Sequence, residues 1–107
     1  MKKITYDNLI KFHHELLAKI GLDEYSVDAV TTGLCETSLR GVDSHGVRLL
    51  PHYVNSALSG RKNPKPKYNL SKVFPSITHL DADNAFGHAA GMKSIEVAME
   101  MAEEQGV

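Results

Sequence analysis

Chemically active side chains are concentrated in residues 41–48, Gly-Val-Asp-Ser-His-Gly-Val-Arg, which lie between two helical patterns. Histidine side chains titrate near neutral pH, so His45 is suited to general acid–base chemistry. Arg48 could hold a substrate carboxylate through paired, charge-assisted hydrogen bonds. The stretch is therefore a candidate corner of an active site.

The same residues also have a purely structural interpretation. Ser44 is a favourable helix N-cap and Asp43 stabilises a helix N-terminus, which would leave His45 and Arg48 as surface residues. Ser44 and His45 are adjacent, so a hydrolytic Ser–His pair is not implied, and the sequence has no Gly-x-Ser-x-Gly motif. Spacing alone favours the helix cap.

The histidines and acidic residues of the sequence do not predict a metal site. His45 and His52 are two helical turns apart, but Pro51 interrupts that spacing, and paired histidine ligands usually stand at i and i+4. Residues 81–84 begin like a calcium loop that does not continue. Residues 87–91, Gly-His-Ala-Ala-Gly, could bring backbone close to a phosphate or could simply pack closely. Packing is favoured because the dinucleotide fingerprint is incomplete.

Helical periodicity predicts two opening helices. The first starts near Thr5 and ends before Gly21, and the second is capped by Asp23 or Ser26 and ends near Gly41. Because only a few residues join them, we expect an antiparallel helical hairpin.

A third helix is predicted from Pro51, after an irregular turn, because proline fits the first turn of a helix. An extended, proline-punctuated connector follows, and then residues 73–80 read as two short strands or one bent edge strand. A last helix is predicted over residues 88–105. One of its faces carries apolar residues at helical spacing: Met92, Ile95, Met99 and Ala102.

Length and composition indicate a soluble globular domain. The chain has 107 residues, 42% of them hydrophobic, and a formal net charge of −1. Twelve Lys and Arg against thirteen Asp and Glu leave no basic surplus for nucleic acid. Apolar runs are far shorter than the roughly 20 residues that span a membrane. The single cysteine, Cys35, is expected to be a small buried side chain and fits the reducing cytoplasm.

Residues 39–47, Leu-Arg-Gly-Val-Asp-Ser-His-Gly-Val, followed by Leu-Pro-x-Tyr-Val at 50–54, resemble the type-2 malate/L-lactate dehydrogenase family. These NAD(P)-dependent enzymes include ureidoglycolate dehydrogenase and related reductases of 2-oxo acids and cyclic imino acids. The order of elements agrees, as does Asp-x-Asp-Asn-x-Phe-Gly at 81–87. The resemblance extends over nearly the whole chain.

The resemblance implies hydride exchange between NAD or NADP and a small 2-oxo acid, giving the 2-hydroxy acid. It implies that His45 is catalytic and binds substrate, that Ser44 binds substrate or cofactor, and that Arg48 binds substrate. It further implies an α/β fold that is not a Rossmann fold, with three helices, a short strand pair and a further helix.

The resemblance also implies a division of the chain. Residues 1–60 would form a helical part that carries the Asp-Ser-His-Gly segment, residues 61–70 an extended connector, and residues 71–107 the start of an α/β cofactor-binding part. The final Gly106-Val107 looks like the entry to a strand, so we expect a fragment of a larger domain. Exposed apolar surface on such a fragment favours a homodimer or other self-association.

Two departures from the family pattern matter. The arginine that binds the substrate carboxylate usually stands four positions after the histidine, where this chain has Leu49, and Arg48 is rotated from it by about 100° on a helix. The family's second catalytic histidine would follow Val107, so we expect these 107 residues alone to be inactive. The alternative function is a small helical protein-interaction module without catalysis.

Overall fold

The computed structural model describes residues 2–107, and in them four α-helices accompany a two-stranded antiparallel sheet. The helices are α1 (Tyr6–Lys19), α2 (Glu24–Leu39), α3 (Leu50–Leu58) and α4 (Gly87–Gln105), and the strands are β1 (Asn69–Phe74) and β2 (Ile77–Asp81). The predicted α/β class is confirmed. Met1, the first residue of the predicted helical part, lies outside the described residues. None of the helices in residues 2–107 is long and apolar enough to cross a membrane.

Local capping sets the ends of the first two helices. The Thr5 hydroxyl accepts the Asn8 N–H at 3.3 Å, and the Asp23 carboxylate accepts the Ser26 N–H at 2.9 Å. Gly21 follows α1 with a φ of +103°, a left-handed conformation that glycine adopts without strain. The predicted helix boundaries are confirmed, and Asp23 rather than Ser26 is the second cap.

The helices α1 and α2 form the predicted antiparallel hairpin. Tyr6, at the start of α1, donates a hydrogen bond to Glu36 near the end of α2, and His14 bonds Asp28, nearer the start of α2, at 2.6 Å. The hydrogen bond to Glu36 raises the pKa of Tyr6 to about 12, so its phenol remains a donor at neutral pH.

The hydrophobic core surrounds α2. Its buried members are Leu17, Leu22, Val27, Val30, Leu34, Leu50 and Phe86. Burial of each large side chain stabilises the fold by about 1.5–3 kcal/mol. Phe86, the residue before α4, is fully buried and meets the Tyr53 ring edge-to-face at 5.8 Å between centroids. It anchors the start of α4 to the helical core.

A glycine in the middle of α2 makes room for the first turn of α4. Glycine costs a helix interior about 1 kcal/mol relative to alanine, so Gly33 requires another explanation. A β-carbon at this position would overlap the ring of His88. The His88 ring also meets Tyr53 edge-to-face at 5.5 Å. Gly33 therefore allows α2 and α4 to approach closely around a histidine.

The connector is pinned to the turn that precedes α4. The Asp83 carboxylate accepts hydrogen bonds from the Asn63 side chain and the Lys67 N–H, both at 2.9 Å. The Asn63 N–H donates to the carbonyl of Asn84 at 2.9 Å. Asp83 and Asn84 both have left-handed backbones, with φ of +52° and +57°, which these residue types tolerate better than most.

The strands form a hairpin beside the second half of α4. Leu70 pairs with Leu80 and Phe74 with Ile77, with an irregularity between Lys72 and Phe74. Residues 73–80 therefore contain parts of two paired strands rather than one bent strand. Thr78 donates a hydrogen bond to the sulfur of Met101 at 3.1 Å, which links the hairpin to α4.

The apolar face of α4 lies in solvent. Met92, Ile95 and Met99 are 47%, 52% and 58% exposed, whereas Lys93 and Glu96 are half-buried against α2. The sequence predicts five exposed residues on this helix: Lys93, Glu96, Glu100, Glu103 and Glu104. The prediction is confirmed for the last three and is wrong for Lys93 and Glu96. Periodicity identifies an apolar stripe correctly, but which stripe is covered depends on the neighbouring elements.

The close contact at Gly33 predicts strong energetic coupling. Gly33→Ala should lower the free energy of unfolding, because overpacking of this kind costs about 1–3 kcal/mol. With His88→Ala as the background, the same change should stabilise by up to about 1 kcal/mol through helix propensity. Urea unfolding of the four proteins measures the coupling. An equal effect of Gly33→Ala in both backgrounds would contradict the contact.

His13 is buried within the helical hairpin. Its Nδ1–H donates to the carbonyl of Leu9 at 2.9 Å, and Nε2 is buried without a partner among the described residues. Burial lowers the pKa of His13 below its ordinary value of 6.5. As the pH falls, the imidazole of His13 is therefore protonated in the unfolded chain at a higher pH than in the folded chain.

Stability should therefore decrease as the pH falls below about 6.5, because the unfolded state then binds more protons. His13→Leu should give a shallower decrease between about pH 7 and pH 5, with His88, whose pKa burial also lowers, retaining part of it. Urea unfolding at a series of pH values measures the slope. His79→Gln, on an exposed position of β2, is the control. A slope unchanged by His13→Leu would refute the argument.

Candidate functional site

Residues 41–49, here called the corner, connect α2 to α3 through two short 3₁₀ turns, Asp43–His45 and Val47–Leu49. The interpretation of Ser44 as a helix cap is wrong, because α3 begins at Leu50 without a side-chain cap and Ser44 lies inside the first turn. Pro51 is the second residue of α3, close to the predicted first position.

The structure brings two of the predicted site residues together. The Ser44 Oγ lies 2.9 Å from His45 Nδ1, and both side chains are exposed. Among the described residues, His45 Nε2 has no hydrogen-bond partner. A hydroxyl on one ring nitrogen and an open second nitrogen suit a group that exchanges a proton with a bound molecule.

Arg48 is not brought to His45 by any contact. Its side chain is exposed in the second 3₁₀ turn and makes no hydrogen bond or ion pair with residues 2–107. Leu49 is half-buried and packs against the hydrophobic core. The corner therefore presents its positive charge at position 48, and position 49 faces inward.

Ser38, in the last turn of α2, contacts the corner and is not predicted from the sequence. Its hydroxyl accepts the Val47 N–H at 2.9 Å, and its carbonyl accepts the Gly41 N–H at 3.0 Å. A serine near a helix end carries no signal that distinguishes this role. The nearest clue to the contact with Ser38 is the glycine at position 46. Its φ of −100° lies outside the left-handed region in which glycine is favoured, so a left-handed turn does not explain it.

The corner is open surface rather than a cleft. A cavity of about 460 Å³ lies between the hairpin and α4 and is lined mainly by apolar side chains such as Leu70, Leu80 and Val97. Three smaller cavities of about 230–320 Å³ also lie outside residues 41–49. The described residues do not enclose a dinucleotide at the corner, so they could supply only one side of a cofactor site.

The glycines at the start of α4 have no close neighbours. A β-carbon at Gly87 or Gly91 would meet nothing within 4 Å, so the close-packing interpretation of residues 87–91 is wrong. His88, between them, packs over Gly33 instead. Within the described part of the chain, no group of three or more His, Cys, Asp or Glu residues could hold a metal ion.

Cys35 is fully buried on α2, as predicted. Burial raises the pKa of its thiol, which keeps it protonated and unreactive. It therefore has no part in the chemistry of the corner.

A family model described as malate/L-lactate dehydrogenase matches residues 4–107. The chain belongs to this malate/L-lactate dehydrogenase family. The resemblance seen in residues 39–54 and 81–87 is thus confirmed over nearly the whole sequence. A family match of this extent does not favour the alternative of an unrelated helical interaction module.

Individual relatives agree with this assignment. The chain is 36% identical over 105 residues to a malate dehydrogenase of Pyrococcus abyssi, covering 98% of this chain and 29% of that protein. It is 30% identical to an L-sulfolactate dehydrogenase of Methanocaldococcus jannaschii, covering 94% of this chain and 29% of that protein. A solved structure of malate dehydrogenase from Pyrococcus horikoshii OT3 superimposes with a TM-score of 0.93 at 33% identity, covering 98% of this chain and 30% of that one.

The chain therefore spans about three tenths of the length of these malate/L-lactate dehydrogenase relatives. Four helices and a two-stranded sheet match the corresponding part of a dehydrogenase fold.

Proposed function

We propose that this segment forms part of an NAD(P)-dependent oxidoreductase that interconverts a small 2-oxo acid and its 2-hydroxy acid, of the malate or lactate type. The exposed Ser44–His45 pair, in a chain of the malate/L-lactate dehydrogenase family, is the observation that carries this proposal. The relatives named as malate and L-sulfolactate dehydrogenases support the substrate class.

His45 is the catalytic residue of the proposal. In the protonated imidazole both ring nitrogens carry a proton, and Nδ1–H donates to the Ser44 hydroxyl while Nε2–H is left for a bound molecule. A carbonyl oxygen of a 2-oxo acid at Nε2 would accept that proton as the hydride reduces its carbon, which leaves a neutral imidazole with its remaining proton on Nδ1. In the reverse direction, the unprotonated Nε2 of this neutral imidazole takes the proton of the hydroxyl group. Ser44 thus holds the Nδ1 proton in both directions and remains a candidate contact for substrate or cofactor.

Arg48 is the proposed partner of the substrate carboxylate. A guanidinium suits a carboxylate because it can donate two parallel hydrogen bonds. Arg48 is exposed and three residues from His45, so it is free to bind a ligand over the corner. Leu49 packs against the core and carries no charge, whereas Arg48 is the first arginine that follows His45 in the sequence.

The cofactor of the proposal is NAD or NADP, which supplies or takes up the hydride when bound. Because the described residues do not enclose the dinucleotide, the roles proposed for this chain are proton transfer and contact with the substrate. The remaining parts of the proposal are an α/β fold distinct from the Rossmann fold and action in the cytoplasm. They also include division into residues 1–60, 61–70 and 71–107, with the last part contributing to cofactor binding.

Self-association, as a homodimer or otherwise, also belongs to the proposal. The exposed Met92, Ile95 and Met99 on α4 support it, because apolar side chains exposed together commonly mark an interface.

The role of His45 can be tested in a chimera, in which these 107 residues replace the matching segment of the Pyrococcus horikoshii malate dehydrogenase. Loss of an acid–base group typically costs about 10²-fold or more, so His45→Ala should lower kcat/KM for oxaloacetate reduction by that factor. His79→Gln, remote on the hairpin, should have no effect. Wild-type activity of the His45→Ala chimera would show that His45 is an exposed residue without a catalytic role.

The 107-residue chain alone should show no hydride transfer, because it offers only one side of a cofactor site. Steady-state oxidation of NADH and NADPH with pyruvate or oxaloacetate measures this, with His45→Ala as the background rate. Turnover clearly above that background would disprove the expected inactivity.

A further inference from the structure

We propose that Ser38 is a positioning residue for His45, acting through the backbone of the corner. The inference rests on the proposed function of His45 and adds a residue that no sequence motif marks. Ser38 contacts both ends of the segment that carries the histidine. Its carbonyl accepts the Gly41 N–H at 3.0 Å, and its hydroxyl accepts the Val47 N–H at 2.9 Å.

The two bonds close a short loop around His45. Within the loop, the His45 N–H donates to the carbonyl of Val42 at 3.2 Å, and the Val42 N–H donates to the carbonyl of Thr37 at 3.1 Å. The first end of the loop is held by main-chain bonds to α2. The second end is held by the Ser38 hydroxyl and by packing of Val47 against the core, so loss of the hydroxyl removes a hydrogen bond that ties this end to α2.

Gly46 supplies independent evidence for this contact. A β-carbon at Gly46 would overlap the Ser38 hydroxyl and would lie 3.1 Å from both the Cβ and the backbone nitrogen of Ser38. The φ of Gly46 is −100°, outside the left-handed region, and the close approach to Ser38 leaves no room for a side chain at this position. The residue after the histidine is thus buried directly against α2.

The position of His45 depends on this arrangement because its side chain has no other support. It is exposed, and its one side-chain hydrogen bond is to Ser44, which lies in the same loop. No bond in the described chain joins the imidazole to the helical core. The geometry of the ring is therefore set by the backbone that Ser38 holds.

Removal of the hydroxyl should loosen the loop without unfolding the chain. Ser38→Ala leaves the Val47 N–H without its acceptor, and small displacements of a catalytic group can reduce rates by as much as about 10²-fold. Ser38→Thr keeps a hydroxyl at the same position. Ser38→Cys keeps the size but replaces the hydroxyl with a weak acceptor.

The first experiment is amide hydrogen exchange of the 107-residue chain, followed by NMR. We expect the Val47 amide to exchange about 10-fold faster in Ser38→Ala and Ser38→Cys and to return toward the wild-type rate in Ser38→Thr. Ser56→Ala is the matched control, because the Ser56 hydroxyl also makes one hydrogen bond with the backbone, donating to the carbonyl of His52 at 2.9 Å in α3. Unchanged Val47 exchange in both Ser38→Ala and Ser38→Cys would overturn the inference.

The second experiment measures the same variants in the chimera with the Pyrococcus horikoshii enzyme. Ser38→Ala and Ser38→Cys should lower kcat about 10-fold with little change in KM for the nucleotide, and Ser38→Thr should restore it. Ser56→Ala should leave kcat unchanged even if it lowers the melting temperature. A normal kcat together with accelerated Val47 exchange would show that Ser38 holds the loop but does not position His45, and would overturn the proposal.

The two experiments separate this proposal from the proposed function. If His45→Ala leaves the activity of the chimera intact, the proposed function fails whatever happens at Ser38. If His45→Ala abolishes activity while Ser38→Ala and Ser38→Cys leave kcat intact, the function stands and the positioning role is rejected.

Discussion

The structure depends on close packing around the second helix. α2 is covered by α1 along one side, by the first turn of α4 on another and by the corner at its end. At two points a β-carbon would overlap a neighbouring side chain: at Gly33, which faces the ring of His88, and at Gly46, which faces the hydroxyl of Ser38. Interiors packed at this density transmit small displacements rather than absorbing them, so α2 is the rigid reference on which the other elements are placed.

The corner combines a backbone that is hydrogen-bonded to α2 with polar side chains that are exposed to solvent. Its main chain is bonded to the last turn of α2, whereas the side chains of Ser44, His45 and Arg48 are all exposed. Such an arrangement fits a surface that becomes part of a site when another element covers it. Exposed polar groups cost little in water and gain strength as donors and acceptors once water is excluded.

Much of the fold could be predicted from sequence because it is set locally. Caps such as Thr5 and Asp23 act within a few residues, and so does the left-handed glycine at Gly21. Ser44 and His45 could be selected as candidate site residues from residue type and family resemblance. The contact from Ser38 to the corner could not, because it joins side chain and backbone nine residues apart with no repeating pattern. The exposed face of α4 was mispredicted for the same reason, since exposure depends on distant neighbours.

The carboxylate of Asp83 has a topological consequence. By binding Asn63 and Lys67, it brings together the two ends of a stretch that contains the whole β-hairpin. The chain thus leaves the helical core before the hairpin and returns to it after the hairpin at the same place, which the hydrogen bonds of Asp83 hold together. The entropy of closing a loop grows only slowly with its length, so residues added or removed at the hairpin tip would change its reach with little cost to the core. Evolution can therefore remodel this part of the surface while the corner keeps its geometry.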